Sequence, residues 1–241
     1  MTELLRANNV SLGYDGQAVV HNLDLTINAG EIVAVFGPNG AGKTTTLLSL
    51  TGELAPLSGS VQLFGEITEA PLYQRVRQGL SFISDERSLI FGLSVQDNLR
   101  MRGGSVDAAL TLFPELKPHL GRATALLSGG QQQMVTMARC LASNPKILIA
   151  DELSMGLAPQ IVDRLLLALR QAADAGLGVL LVEQHVSQAL QIADRGIILN
   201  QGRVVLSGSA AELKTKMAEL ESAYLFGDSS SESATLINRR N

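Results

Sequence analysis

Cysteine is scarce in this sequence, because the chain of 241 residues contains only Cys140. A single cysteine excludes an intramolecular disulfide and is typical of a protein kept in a reducing cytosol. Long apolar runs are also missing, since none approaches the roughly 18–20 residues that a membrane-spanning helix needs. The first residues, MTELLRANNVSLGY, lack the basic start and the apolar stretch of a secretory signal peptide, so we expect none. If the protein works at a membrane, it docks there through another protein.

Basic residues are not in excess either. The chain has 19 Lys and Arg against 23 Asp and Glu, which gives a formal net charge of −4. Proteins that follow nucleic-acid phosphates usually carry a basic excess, so we expect no nucleic-acid partner. Hydrophobic residues make up 46% of the sequence and charged residues 17%. This composition predicts a packed core rather than a disordered chain.

Short β-branched or apolar runs recur along the chain and are separated in several places by helix-like segments. The runs are IVAVFG (32–37), SVQLFG (60–65), ILIA (147–150), GVLLVE (178–183), GIILN (196–200) and RVVLSG (203–208). The longest helix-like segment, 160–176, has apolar residues at helical spacing and ends at Gly176. Strands that alternate with such helices indicate a mostly parallel sheet covered on both faces. Segment 7–30 alternates with period two instead, which predicts an antiparallel hairpin or meander.

Two further segments differ from this pattern. From about Ser94 to Leu126 the sequence has helical spacing, a Gly-Gly pair and two prolines, which predicts a small helical insertion in the sheet domain. Ser207 to Lys216 predicts a turn into a last helix. From Gly227 onward the chain is polar and rich in serine, so we expect a disordered tail.

The segment GPNGAGKT, Gly37 to Thr44, matches the pattern G-x-x-x-x-G-K-[ST] and lies between a strand-like and a helix-like segment. Glycines let backbone N–H groups turn onto phosphate oxygens at a helix N-terminus, whose dipole favours anions. Lys43 would reach the terminal phosphates and Thr44 would ligate Mg²⁺. A glycine-rich turn that binds nothing is the alternative, but the flanking elements favour a nucleotide site. The predicted nucleotide-binding residues are Gly37, Pro38, Asn39, Gly40, Ala41, Gly42, Lys43, Thr44 and Thr45.

Two adjacent carboxylates, Asp151 and Glu152, end the apolar run ILIA. Beside a bound nucleotide, an acid at the end of a strand can hold Mg²⁺, and a neighbouring acid can polarise the attacking water. Taken alone, the pair could equally be acids at the start of a helix. The phosphate loop favours the catalytic interpretation, with Asp151 toward the metal and Glu152 as the base.

A third motif, LSGGQ, spans Leu127 to Gln131 and opens a helix-like run. Ser128 is a candidate N-cap, and its hydroxyl with the following glycine amides would form a second anion site at a helix start. A capped helix after a Gly-Gly turn is the simpler alternative. Two anion-binding helix starts with one nucleotide loop predict a composite site.

The order of these motifs, a phosphate loop, LSGGQ and an apolar strand ending in Asp-Glu, resembles that of the nucleotide-binding subunits of ABC transporters. The resemblance covers about residues 3–226. It implies an α/β fold: a P-loop NTPase core with a mostly parallel sheet, an N-terminal antiparallel β-subdomain and a small helical subdomain. The implied organisation is one ATPase domain, 1–226, with the helical subdomain at about 86–140, followed by the tail 227–241. The implied cofactors are ATP and Mg²⁺.

The resemblance also implies a homo- or heterodimer with another ABC ATPase subunit, arranged head to tail. In it, Ser128, Gly129, Gly130 and Gln131 of one subunit complete the γ-phosphate site of the other. Tyr14 is similar to the aromatic residue that stacks on adenine, although on sequence alone it is as readily a surface strand residue. His185 matches the switch histidine that contacts the γ-phosphate, where a lone histidine would otherwise more often be structural. The catalytic set is thus Glu152, His185 and Lys43.

More specifically, the strings DELSMGLAP, LLVEQ, LFPEL and AYLFG resemble the ATPase subunits of branched-chain amino-acid importers. The resemblance implies integral membrane permease subunits as partners and, indirectly, a substrate-binding protein. It implies a cytoplasmic chain, peripheral on the inner face of the cell membrane, with the helical insertion touching the permease. The alternatives are an exporter of lipid or polysaccharide, a non-transport ABC ATPase and a nucleotide sensor that does not hydrolyse. The single ATPase domain argues against the second alternative, and Glu152 with His185 argues against the third.

Four features depart from the general ABC pattern. Asp85 stands where a glutamine usually follows a strand, and as an acid it could contact Mg²⁺ or only report coupling to the permease. Leu153 replaces the usual proline after Glu152, and Ala158 replaces an aspartate that often crosses the dimer interface. The helical insertion is also shorter than the resemblance leads us to expect. The predicted metal ligands are therefore Thr44, Asp85 and Asp151.

Overall fold

The computed structural model describes residues 2–84, 88–183 and 186–216. The strands are β1 (Glu3–Tyr14), β2 (Gln17–Asn28), β3 (Ile32–Phe36), β4 (Ser58–Leu63), β5 (Glu66–Ile67), β6 (Leu80–Ile83), β7 (Ile147–Asp151), β8 (Gly178–Val182), β9 (Arg195–Asn200) and β10 (Arg203–Ser209). The helices are α1 (Lys43–Thr51), α2 (Leu72–Gln78), α3 (Val95–Arg100), α4 (Val106–Leu112), α5 (Gly129–Ala142), α6 (Pro159–Asp174), α7 (Val186–Ile192) and α8 (Ala210–Thr215). Within these described ranges, no helix is both long enough and apolar enough to cross a bilayer.

The larger sheet has six strands in the order β10-β9-β3-β8-β7-β6. Every neighbouring pair from β9 to β6 is parallel, and only β10 pairs antiparallel, at the edge. All five residues of β3 and of β8 are buried, as expected for central strands of a sheet covered on both faces. Along β3 the side chains alternate between two cores, with Ile32, Ala34 and Phe36 on one side and Val33 and Val35 on the other.

The smaller sheet is antiparallel, in the order β2-β1-β4-β5. Its buried face packs with α1 against one side of the larger sheet and encloses one of the two cores. The run 60–65 thus belongs to this sheet and not to the parallel one. In β4 only Val61 and Leu63 are buried, on one face, and that period-two pattern suits a strand with one solvated face. The predicted hairpin at 7–30 is confirmed as β1 and β2.

The other core lies on the opposite side of the larger sheet, where α5, α6, α7 and α8 contribute most of its helical residues. Segment 95–126 adds α3, α4 and three short 3₁₀ turns, which bury Leu99, Phe113 and Leu116 against α5. The predicted fold class is confirmed, including the N-terminal antiparallel subdomain and the small helical subdomain. The sequence interpretation did not identify α2, β5 or α7, which are all short. The predicted tail at 227–241 lies outside the described residues.

A buried arginine links α2 to the end of α1. Arg75 is 2% exposed, and its guanidinium donates to the carbonyl oxygens of Ser49, Leu50, Thr68 and Ala70. Two of these carbonyls belong to the last turn of α1, where the negative end of the helix dipole favours a cation. Burial removes water from the guanidinium and thereby lowers the pKa of Arg75. The carbonyl oxygens stabilise the charge in place of water.

We therefore expect Arg75→Ala to lower the free energy of unfolding by roughly 3 kcal/mol, because it leaves buried carbonyl groups without a donor. Arg77→Ala on the same helix is the matched control, since Arg77 is exposed and should cost about 0.5 kcal/mol or less. Urea unfolding followed by circular dichroism measures both values. Equal stability of the two variants would contradict the assignment.

Candidate nucleotide site

The predicted phosphate loop joins the end of β3 to the start of α1. Gly42 occupies the N-cap of α1 with φ 100°, and Gly40 has φ 79°. Both angles lie in the left-handed region, which residues with a side chain rarely adopt. Because Gly42 has no side chain to accept from the first N–H groups of α1, those groups are available to an anion. Thr44, which follows Lys43, is exposed at this helix start.

Lys43 is folded back onto the loop. Its ammonium Nζ donates to the carbonyl oxygens of Gly37 at 2.7 Å and Pro38 at 3.1 Å. Burial lowers the pKa of Lys43, and the nearby carboxylates of Glu152 and Asp151 act in the opposite direction. The cation is thus held inside the loop, close to both acids.

The turn between β9 and β10 braces the loop against β2. Gly202 N–H donates to the carbonyl of Ala41 at 3.1 Å, and the Gly202 carbonyl accepts from His21 N–H at 2.8 Å. A Cβ at Gly202 would lie 1.8 Å from the carbonyl oxygen of Val19. Only glycine fits between the phosphate loop and β2 at this point.

A cleft of about 180 Å³ lies over the loop. It is lined by Val19, Asn39, Gly40, Gly42, Lys43, Thr44, Thr45 and Glu152. Its volume is below the roughly 300 Å³ at which small-molecule pockets begin, so it has room for a phosphate chain and not for a whole nucleotide. Tyr14 is 47% exposed at the tip of the hairpin whose second strand supplies Val19. Tyr14 thus lies on the same hairpin as Val19 of the cleft and does not itself line the cleft.

Glu152 lines the cleft together with residues of the loop, and Asp151 directly precedes it. Asp151 is the last residue of β7, and Glu152 N–H donates to the carbonyl of Val182 at 2.9 Å, which extends the pairing of β7 with β8. Glu152 has φ 45°, a left-handed conformation that is uncommon for a residue with a side chain. The structure thus brings Lys43, Thr44 and Glu152 together around one cleft and places Asp151 near Lys43.

The protein oxygens at this cleft can provide part of the coordination of an Mg²⁺ ion. Among the described residues, no group of three or more His, Cys, Asp or Glu side chains could hold a metal ion. Mg²⁺ usually keeps several waters and binds through one or two protein oxygens together with substrate phosphates. The hydroxyl of Thr44 and the carboxylate of Asp151 fit that requirement, provided that a nucleotide supplies the rest. Asp85 and His185, which the sequence analysis assigned to the metal and to catalysis, lie outside the described residues.

The LSGGQ motif begins α5, as predicted. Ser128 is the N-cap, with its Oγ accepting from Gln131 N–H at 3.3 Å while the Gln131 side chain accepts from Ser128 N–H at 3.0 Å. A Cβ at Gly130 would lie 3.1 Å from the side chain of Ile161, so the helix start packs closely on α6. In the part of the chain that the structure describes, residues 128–131 do not line the cleft over the phosphate loop.

Two of the departures follow the acid pair. Leu153 is 2% exposed and belongs to the core under the helices, so its apolar side chain is buried where the general pattern has proline. Ala158 is the N-cap of α6, followed by Pro159, and provides no side-chain hydrogen bond.

The sequence analysis missed Glu183, a buried carboxylate that binds Ser154. An acid that ends the buried run GVLLVE was the available signal.

The chain resembles known proteins over most of its length. A family model described as "ABC transporter" matches residues 20–154. The high-affinity branched-chain amino acid transport ATP-binding protein BraG of Pseudomonas aeruginosa is 36% identical over 234 residues, which cover 93% of this chain and 100% of that protein. The probable branched-chain amino acid transport ATP-binding protein LivF of Archaeoglobus fulgidus is 38% identical, covering 87% of this chain and 94% of that one. The lipopolysaccharide export system ATP-binding protein LptB of Escherichia coli is 35% identical, covering 87% of this chain and 92% of that protein.

Solved structures show the same fold. The ATP-binding subunit of an ABC transporter superposes with a TM-score of 0.77 at 26% identity, covering 93% of this chain and 99% of that chain. A nucleotide-free ATP-binding cassette from an ABC transporter gives a TM-score of 0.80 at 22% identity, covering 90% of this chain and 95% of that chain.

The brace at the β9–β10 turn leads to a matched pair of variants. Gly202 and Gly65 both have positive φ, 72° and 86°, but a Cβ at Gly65 would meet no atom within 4 Å. We expect Gly65→Ala to cost about 1–2 kcal/mol of stability and to leave ATP affinity unchanged. Gly202→Ala should cost about 3 kcal/mol and weaken ATP binding, because the collision with Val19 shifts the turn and with it the hydrogen bond that holds Ala41 of the phosphate loop. Fluorescent ATP titration and urea unfolding measure both effects, and unchanged affinity in Gly202→Ala would contradict the brace.

Proposed function

Because the chain belongs to the ABC transporter family, whose ATPases couple ATP hydrolysis to transport, we propose that it powers an importer for branched-chain or other hydrophobic amino acids. The observation that carries the ATPase part of this proposal is one cleft lined by the phosphate loop, Lys43 and Glu152, with Asp151 close to Lys43. The similarity to BraG and LivF, along nearly the whole of both proteins, supports the importer.

In the proposed mechanism, the ATP phosphates bind the N–H groups at the start of α1 and draw Lys43 Nζ from the carbonyls of Gly37 and Pro38. Thr44 and Asp151 would hold Mg²⁺, which offsets the negative charge of the phosphates when it is bound. Glu152 then accepts a proton from the attacking water. The left-handed backbone at Glu152 turns the chain sharply at the end of β7, so that this side chain reaches the cleft.

The LSGGQ segment acts on a second subunit in this proposal. Residues 128–131 form the capped start of α5, which does not line the cleft of its own chain within the described ranges, and we assign anion binding to this helix start. A head-to-tail dimer, with a second copy or with a related ATPase subunit, places Ser128 and Gly130 over the γ-phosphate of the partner. Ala158, near the same face, would make one contact fewer across this interface than an aspartate. We assign the adenine contact to Tyr14, the γ-phosphate contact of the switch histidine to His185 and an Mg²⁺ contact to Asp85.

The permease would dock at a groove beside the helical subdomain. The groove has a volume of about 920 Å³ and is lined by residues of α2, by residues at the end of α1 and by Arg139 of α5. Tyr73 on α2 is 60% exposed, and Phe91, three residues after Ser88 in the groove, is 48% exposed. We propose that a cytoplasmic helix of the permease lies here. That contact would hold the chain on the cytoplasmic face of the membrane and link it indirectly to a substrate-binding protein. We also propose that the ATPase domain spans residues 1–226 and that its helical subdomain spans about 86–140.

An exporter ATPase is the second candidate function. LptB of Escherichia coli is 35% identical to this chain, which is nearly the identity of BraG at 36%. The catalytic cleft is the same in either direction of transport, so the transported substrate decides between the two.

Glu152→Gln tests the catalytic part of the proposal. We expect the variant to bind ATP with unchanged affinity and to hydrolyse it at least about 100-fold more slowly, because glutamine cannot accept the proton. Glu66→Gln on the exposed strand β5 is the control and should match the unchanged protein. Phosphate release and ATP titration measure the two properties, and undiminished hydrolysis by Glu152→Gln would refute the assignment.

Uptake in the source cells tests the direction of transport. We expect deletion of the gene to reduce the uptake of radiolabelled leucine, isoleucine or valine, and the unchanged protein or Glu66→Gln to restore it. Glu152→Gln should fail to restore uptake, because it cannot turn over. Normal amino-acid uptake in the deletion strain, together with loss of a surface lipid or polysaccharide, would establish the exporter instead.

A further inference from the structure

A buried carboxylate outside the acid pair binds the turn that follows it. Glu183 comes directly after β8 and is 3% exposed. Ser154 N–H donates to Oε1 of Glu183 at 3.0 Å, and the Ser154 hydroxyl donates to Oε2 at 2.6 Å. Both oxygens of one buried carboxylate therefore accept hydrogen bonds from a single residue, two positions after Glu152.

The backbone around Glu183 connects the same segments. The carbonyl of Val182 accepts from Glu152 N–H at 2.9 Å, and Glu183 N–H donates to the carbonyl of Val35 at 3.3 Å. Val35 lies on β3, next to the residue that leads into the phosphate loop. The end of β8 is thus hydrogen-bonded to the strand before the phosphate loop on one side and to the turn with Glu152 on the other.

The conformation of Glu152 needs this support. Its φ of 45° is unfavourable for a residue with a Cβ, and such strain persists only where the surroundings determine it. Val182 holds the amide of Glu152 on one side, and Glu183 holds both donors of Ser154 on the other. A further turn bond runs from Met155 N–H to the Glu152 carbonyl at 3.3 Å.

We propose that Glu183 is a positioning residue for hydrolysis, which keeps the Glu152 carboxylate directed at the attacking water through its two bonds to Ser154. The proposal rests on the assigned role of Glu152 as the base. What the positioning needs from Glu183 is two directed contacts with Ser154. A glutamine at 183 can make both of them, because its oxygen accepts from Ser154 N–H and its amide donates to the Ser154 hydroxyl.

The test compares Glu183→Ala with Glu183→Gln. We expect Glu183→Ala to lower kcat by about tenfold to a hundredfold, the loss that a small displacement of a catalytic group causes. Its ATP affinity should stay within about threefold of the unchanged protein, since the phosphate contacts are intact, and Glu183→Gln should keep at least about a third of kcat. Unchanged kcat in Glu183→Ala would overturn the proposal. So would an equal loss in Glu183→Gln, or an affinity loss as large as the kcat loss.

Ser154→Ala covers the case in which Glu183→Ala does not fold. It removes the hydroxyl contact and keeps the amide contact, so kcat should fall by about threefold to tenfold with ATP affinity unchanged. Full activity of this variant would contradict the proposal.

A double variant separates this proposal from the role of Glu152. In a Glu152→Gln background, single-turnover hydrolysis should not fall further when Glu183→Ala is added, because the base on which Glu183 acts is already gone. The same fold loss in both backgrounds would show that Glu183 does not act through Glu152. Normal turnover of Glu152→Gln alone would instead remove the assigned base, whatever the Glu183 variants do.

Discussion

Parallel pairing at the centre of the larger sheet determines where the charged groups of the site lie. β8 pairs with β3 on one side and with β7 on the other, all in the same direction. The carboxyl ends of the three strands therefore meet at one edge, which is where open parallel sheets bind ligands. The phosphate loop follows β3, the acid pair ends β7, and Glu183 follows β8. Residues more than a hundred positions apart in the sequence thus reach one cleft.

Around that edge, backbone geometry matters as much as side-chain chemistry. The N–H groups at the start of α1 are available because glycine occupies its N-cap. The loop is held against β2 by the β9–β10 turn, where only glycine fits at position 202. Lys43 donates hydrogen bonds to two carbonyl oxygens of its own loop and lies near two carboxylates. The N–H groups need little rearrangement when a phosphate chain arrives, and such preorganisation is a main source of catalytic power. Lys43, in contrast, has to leave its two carbonyl acceptors.

The sequence predicted the parts of the site that are continuous along the chain. The phosphate loop, the acid pair and the LSGGQ helix start each consist of neighbouring residues whose local pattern indicates their chemistry. The alternation of strands and helices predicted the mostly parallel sheet, and the resemblance to ABC ATPases implied the rest of the fold class. Contacts between distant segments could not be predicted in this way. Arg75 binds carbonyls of α1, and Glu183 binds a serine 29 positions away. β4 likewise pairs with β1 and β5 in the antiparallel sheet although it follows helix α1, so the alternation of helices and strands did not predict its partners.

In the dimer that we propose, two anion-binding helix starts, one from each of two subunits, enclose one ATP. Multi-angle light scattering of Glu152→Gln with ATP tests this arrangement, because that variant should hold ATP without turning over. We expect ATP to double the mass, Ser128→Arg to prevent the doubling, and Ser105→Arg to leave it intact. Ser105 is the exposed N-cap of α4, so it controls for the loss of a helix cap. A dimer that forms despite Ser128→Arg would contradict the composite site, as would a mass that stays monomeric with ATP both alone and in the presence of the related ATPase subunit.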